Sequence, residues 1–288
     1  MSIADLPPAS QAGHATFKVI YQDEALLLLD KPSGMLSVAG RGEGKQDCLS
    51  ARVQARYADA LVVHRLDMAT SGLMLMARGV AAQRTLSQAF ASRSILKRYC
   101  AIVDGSLVAG AVDSTVDSIL EAAVFDAAFA ASVAVAPESH AAAVARISEP
   151  GHWAVIDLPI ALDWPRRPLR IIDAQRGKPS VTRWRVTSQS VPAASDDAMD
   201  IADAGHPGTL QFERSTPFTR LELAPVTGRS HQLRVHLAAL GHPILGDTLY
   251  APQPVQARAS RLLLHASRLA LAHPLTGQFL VFDSAPPF

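Results

Sequence analysis

The chain has 288 residues, 27 basic and 26 acidic side chains, 49% apolar and 18% charged residues, and a formal net charge of +1. That is long enough for one large domain with a real core and too apolar for a disordered chain. Cys48 and Cys100 stand alone, without a CxxC pair or a Cys/His cluster, which excludes a disulfide framework and a thiolate zinc site and fits a reducing cytosol.

Along the chain, Asp5, Pro7 and Pro8 sit where a secretory signal would be apolar, so residues 1–16 read as a plain extension. Phe17, Val19 and Tyr21 alternate with other residues, Gln22-Asp23-Glu24 turns, and Ala25 to Leu29 follow, which predicts a hairpin. Lys31-Pro32-Ser33-Gly34 ends it with turn chemistry. Residues 46–58 predict a short helix with Leu49 and Val53 on one face. Leu61-Val62-Val63 and Leu73-Met74-Leu75-Met76 predict buried strands joined by HRLDMATSG. Ala81 to Ser92 predicts a helix and Tyr99 to Val103 a strand.

Residues 106–150 then carry six acids against Arg146, a net of −5, with 14 alanines. The longest uncharged apolar run lies here, Ala127 to Pro137, too short for the roughly 18 residues of a membrane helix. Residues 189–218 carry five acids against Arg214, a net of −4, and read as a loop rich in Ser, Pro, Asp and Gly. The remaining 213 residues therefore hold +10. Positive charge of that size, interrupted by two acidic insertions, fits either a polyanion partner or a solvated surface of arginines. Further on, Ser230 is placed to cap a helix through Leu240, with Leu233, Leu237 and Leu240 at helical spacing and Gly241 as its stop. Leu262 to Phe282 predicts strands turning at residues 273–277. The sum is an α+β domain on a mixed, mostly antiparallel sheet with flanking helices.

Three stretches carry chemistry. His64-Arg65-Leu66-Asp67-Met68-Ala69-Thr70-Ser71-Gly72 puts a carboxylate at the exit of a buried strand, where scaffolds hold reactive groups rigidly. Asp67 there suits a nucleophile or a general base, or simply caps the turn beside a surface Arg65. Thr227 to His236 crowds Arg229, His231, Gln232 and Arg234 around a helix N-terminus, and Arg234 can reach back to a carboxylate elsewhere. His236 and His242 read as packed or loop histidines. Lys97-Arg98-Tyr99 offers two cations and an aromatic for base stacking, or a basic edge strand with an inward Tyr. No HExxH, P-loop or GxGxxG motif occurs.

Together these stretches resemble the RluA family of RNA pseudouridine synthases. HRLDMATSG (64–72), LKRYCAIVDG (96–105) and TGRSHQLRVHLAALGHPILGDTLY (227–250) are similar to its three motifs, in order. YQDEALLLLDKPSGMLSVAGR (21–41) and RLLLHASRLALAHPLTG (261–277) resemble its opening and closing segments. ALDWPRRPLR (161–170) and GKPSVTRW (177–184) resemble the branch that modifies both 23S rRNA and a tRNA anticodon loop.

The resemblance implies a single catalytic domain over 17–288 with a central RNA-binding cleft, acidic insertions at about 106–150 and 189–218, and no S4-type domain. It implies isomerisation of uridine with neither cofactor nor metal, by a monomer in the cytoplasm whose partner is RNA, with no membrane. Asp67 is the implied catalytic carboxylate, its attack on sugar or base or its removal of a sugar proton left open. Tyr99 and Arg234 are the implied catalytic partners. Arg65 would fill the space vacated by the flipped base, with Lys31, Arg41, Lys97, Arg229, His231 and Gln232 as further RNA contacts. A non-catalytic RNA-binding or ribosome-assembly factor on the same scaffold is the alternative. A nuclease or glycosidase would need a second acid or a metal.

Overall fold

The structure, a computed structural model, describes residues 17–40, 42, 44–107, 153–190 and 216–288. The extension 1–16, most of both acidic stretches, and Arg41 lie outside these residues. A ten-stranded sheet dominates. Along it run β1 (Lys18–Gln22), β2 (Leu26–Lys31), β4 (Ser71–Arg78), β11 (Leu264–Ala272), β5 (Leu96–Asp104), β10 (Phe218–Pro225), β9 (Val181–Ser190) and β6 (Ala154–Asp157). Strand β3 (Ala60–Val62) pairs with β4 and β12 (Phe279–Asp283) with β11, while β7 (Ile160–Leu162) and β8 (Arg170–Ile172) form a separate hairpin.

Local chemistry accounts for the order. Asp23 turns the first hairpin by accepting the backbone N–H groups of Ala25 and Leu26 at 2.8 and 2.9 Å. The unbroken apolar runs of β2 and β4 suit strands buried on both faces, and the two pair in register from Leu26↔Ala77 to Lys31↔Gly72. Helices α1 (Leu49–Arg56) and α2 (Gly79–Ala91) cover β3 and β4, and α3 (Gln232–Ala239) lies against β8, β9 and β10. A short α4 (Gln253–Gln256) precedes β11. Two apolar clusters result, one around β2, β4, α1 and α2, the other around β5, β10 and α3, and Tyr99 packs against both.

The seam between the halves is β4 beside β11, the one parallel pair among the described strands. Tyr99, Ala266, Gly72 and Lys31 lie in one register row across β5, β11, β4 and β2. Gly72 has φ of +105°, and a Cβ there would fall 2.4 Å from the Ala266 carbonyl oxygen.

Some elements differ from expectation. Helix α3 starts at Gln232 rather than after Ser230, because His231 adopts the left-handed conformation at φ 59°. Gly241 ends it as expected, at φ 81°, with its N–H on Ala238 O and the His242 N–H on Leu237 O. Strands β9 and β10 went unanticipated: cationic and hydroxyl side chains interrupt their apolar alternation, as in Val181-Thr182-Arg183-Trp184-Arg185. No helix among the described residues is long and apolar enough to cross a membrane.

Gly72→Ala is expected to destabilise the fold by about 2–4 kcal/mol, because it forces the β4–β11 seam apart. Chemical denaturation of the variant beside wild type checks this; an unchanged midpoint would show that the seam yields freely.

Candidate active site

Asp67 sits in the connection between β3 and β4, and the end of β2 with the segment after it holds that connection at Leu66, Met68 and Ala69. Ser37 Oγ donates to Leu66 O at 2.6 Å and accepts the Leu66 N–H at 3.1 Å. The Thr70 N–H closes a turn on Asp67 O at 3.1 Å. Met68 O accepts from the Gly34 N–H at 2.9 Å and from Lys31 Nζ at 3.0 Å. Ser33 Oγ donates to Ala69 O at 2.7 Å. Lys31 also donates to Pro32 O and Met35 O at 2.9 and 2.7 Å. Its side chain is wholly buried, so it is not a phosphate contact as expected: all three ammonium hydrogens are spent on backbone. Burial pushes its pKa down from 10.5 to about 8, and Asp67 and Arg261 act on it in opposite directions.

Arg234 approaches from α3. Its Nη1 lies 3.8 Å from Asp67 Oδ2, close enough for an ion pair and too far for a hydrogen bond. The rest of the guanidinium is gripped by Asp247, with Nε on Oδ2 at 2.8 Å and Nη2 on Oδ1 at 2.5 Å. Asp247 is wholly buried and also accepts the N–H groups of Leu249 and Tyr250 at 2.9 and 3.1 Å. Burial works against the Arg234 charge, and Asp247, with Asp67 and Tyr250 adding to it, more than offsets this, so its pKa is raised. Sequence pattern could not single out Asp247, because it is 13 residues from Arg234 and outside any helical or strand spacing.

Tyr99 forms the floor between the two apolar clusters. Burial first, and the charge of Asp67 second, push its pKa up, so it is a neutral phenol. Its hydroxyl has no hydrogen-bond partner among the described residues. His231 Nδ1 meets the Tyr250 hydroxyl at 2.6 Å, and that oxygen already accepts the Arg170 N–H at 3.0 Å. Burial lowers the His231 pKa and raises that of Tyr250 to about 12, so a neutral imidazole meets a neutral phenol, and the His231 tautomer sets which of them donates.

Asp67, Tyr99, His231 and Arg234 line a cleft of about 460 Å³. Arg65, Arg93, Lys97, Arg229 and Arg234 supply positive charge, Asp67 is the single acid, and Phe90, Val226, Leu233 and Leu264 provide apolar wall. Arg65 is exposed at the mouth with no partner among the described residues. Lys97 is half-buried, and burial with Arg93 nearby lowers its pKa. Arg229 reaches Pro179 O at 3.4 Å. Gln232 departs from expectation. Its Oε1 accepts from Thr227 Oγ1 and the Arg229 N–H, and its Nε2 donates to Val181 O and Thr182 Oγ1, so it braces the 227–231 turn with no group left for RNA. His236 and His242 are packed against Leu158 O and Asp104 O, as expected. Arg93, held at φ 62°, joins the cleft without having been singled out from sequence. Among the described residues no cluster of His, Cys, Asp or Glu could hold a metal ion.

The sequence profile of the RNA pseudouridylate synthase family matches residues 25–239, so the chain belongs to that family. An RNA pseudouridine synthase is an isomerase, and that is its reaction class. It is similar to the dual-specificity RNA pseudouridine synthase RluA of Escherichia coli (strain K12), 35% identical over 94% of this chain and 93% of that protein. The protein of the same description from Yersinia pestis is 36% identical over 94% of this chain and 99% of its own length. Among solved structures, human RNA pseudouridylate synthase domain containing 1 shares the fold, with a TM-score of 0.62 at 22% identity over 97% of this chain and 87% of that one.

Two outcomes follow from the supports of Asp67. Above the Lys31 pKa of about 8 a neutral amine has two hydrogens for three carbonyls, so turnover should fall with pH near 8. Lys31→Met should lose about 10²-fold in kcat and lack that limb. A pH–rate profile of the variant parallel to wild type would contradict this. Asp247→Asn should cost about 3–5 kcal/mol in unfolding free energy, since it strands a buried guanidinium. Denaturation midpoints read it, and a loss under about 1 kcal/mol would show that Arg234 finds another partner.

Proposed function

We propose that this chain isomerises uridine to pseudouridine in a 23S rRNA hairpin and in a tRNA anticodon loop, with Asp67 as the reacting carboxylate. The observation that carries the reading is the solitary carboxylate of Asp67, set between the Arg234 guanidinium and the Tyr99 phenol in an otherwise basic cleft. A paired-acid glycosidase or metal nuclease needs a second acidic group at the bond being cleaved, and among the described residues Asp67 is the one acid that lines the cleft. The substrate choice rests on similarity to the dual-specificity relatives.

In the reaction the N1–C1′ bond breaks, the uracil turns, and C5 bonds to C1′. The C5 proton then leaves and N1 ends with a proton. No redox partner or energy source enters the balance. The base must leave its stack, at a cost of a few kcal/mol, and the basic cleft offsets part of this by holding the flanking phosphates. Arg65 at the mouth enters the gap left by the base, and Lys97 and Arg229 hold the backbone. Asp67 starts the reaction against sugar or base while Arg234 keeps a fixed positive charge beside it. Tyr99, a neutral phenol, stacks on the flipped uracil and supplies or relays a proton. His231 lines the same space.

Transcripts of tRNA and of the 23S hairpin, tritiated at uridine C5, test this directly. Wild type should release label without cutting either strand. Asp67→Asn should release none while binding RNA within about threefold of wild type, and turnover by that variant would sink the assignment. Tyr99→Phe should bind normally and turn over roughly 10²-fold slower; an unchanged rate would remove its proton role.

A further inference from the structure

Outside the cleft, the connection between β7 and β8 presents an aromatic side chain to solvent that the reaction does not use. Trp164 is 65% exposed, the most exposed large apolar side chain among the described residues. The Arg167 guanidinium lies 4.3 Å from the centre of its ring, covering one face and leaving the other open.

The turn that carries it is built to hold still. Asp163 is buried, donates its N–H to Leu169 O at 3.0 Å, and accepts Arg166 Nε at 2.7 Å and the Arg166 N–H at 3.3 Å. The Leu169 N–H closes the turn on Arg166 O at 3.0 Å. At its base, the Arg170 N–H donates to the Tyr250 hydroxyl, which meets His231 of the cleft wall. The hairpin therefore stands on the α3 flank of the cleft, two hydrogen bonds from a residue that lines it.

Its charge is one-sided. Arg166, Arg167, Arg170, Arg176 and Lys178 accompany Trp164, against two acids. Asp163 is buried under Arg166, and Asp173 is occupied by Arg176 and by the N–H groups of Gln175 and Arg176. What faces solvent is an indole on a braced turn, with Arg167 across one face and the exposed Arg166 beside it in the chain. An exposed apolar ring costs hydration and solubility, and an arginine held across one face leaves the other as a stacking surface.

We propose that Trp164 is a second stacking site for the substrate RNA. It takes an unpaired nucleobase outside the target uridine, with Arg166 and Arg167 on the adjoining phosphates. The occupant is RNA rather than a protein segment because Arg166 and Arg167 are exposed beside the indole, the hairpin is tied through Tyr250 to His231 of the basic cleft, and the chain belongs to a family that acts on RNA. Stacking is sequence-tolerant, so this contact adds affinity and register more than base identity. The proposal rests on the cleft being the synthase site, and it places the hairpin as the rim that holds the loop while one uridine enters.

The test uses the full chain and the stem-loop transcript that it converts. Trp164→Ala should raise the Kd for that RNA by about tenfold or more, with the loss in kcat/KM carried by KM. Trp164→Phe keeps an aromatic face and should stay within about threefold. RNA should quench part of the tryptophan emission of wild type, and that part should be missing in Trp164→Phe. A Trp164→Ala Kd within twofold of wild type, or equal quenching in both proteins, overturns the proposal. Binding and quenching are read without turnover, so an inactive wild type would count against the synthase reading and leave the stacking result standing.

Discussion

A buried ammonium holds this site together. Lys31 places its charge under the Asp67 connection and gives its hydrogens to three carbonyls, one of them Met68 O next to the reactive residue. An unpaired buried cation would be too costly to keep, and three carbonyl dipoles are what make it tolerable. The same contacts deny the connection the freedom that a loop usually has. Ser33, Gly34 and Ser37 finish the clamp, so one short segment holds Leu66, Met68 and Ala69 on both sides of Asp67 just ahead of β4. Catalysis that depends on placing one carboxylate gains from such stiffness.

The second support is electrostatic and comes from the opposite half of the sheet. Asp247 holds Arg234 by a two-point contact, leaving one nitrogen to face Asp67. A carboxylate that faces RNA phosphates needs a cation nearby, and a cation free to swing would pair with the phosphates instead. Fixing Arg234 from behind settles that competition. The neighbouring polar groups follow the same economy: Gln232, Thr182 and His236 form a closed chain under the helix, which turns donors and acceptors into bracing.

Much of this is legible in the sequence alone. HRLDMATSG announced a carboxylate at a strand exit, Arg234 announced a partner on a helix, and both lie where the pattern put them. The first hairpin, α1, α2 and the stop at Gly241 follow from turn residues and apolar spacing. Three things were hidden. Asp247 looks like one more loop acid, because only the fold shows that it is wholly buried. Lys31 looks like a phosphate contact, since charge on a turn normally reaches solvent and nothing local signals three converging carbonyls. Strands β9 and β10 were masked by cations and hydroxyls that break the alternation. The charge, by contrast, is legible once the chain is divided, since +1 is the sum of a +10 scaffold and two acidic stretches, and the described cleft residues come from the scaffold.

Amide hydrogen exchange over residues 64–72, read by mass spectrometry in wild type and in Lys31→Met, bears most directly on the clamp. A clamped connection predicts slow exchange in wild type, comparable to strands β4 and β5 of the sheet, and a local rise in the variant while those strands stay protected. Fast exchange over 64–72 in wild type, or no difference between the two proteins, would contradict it.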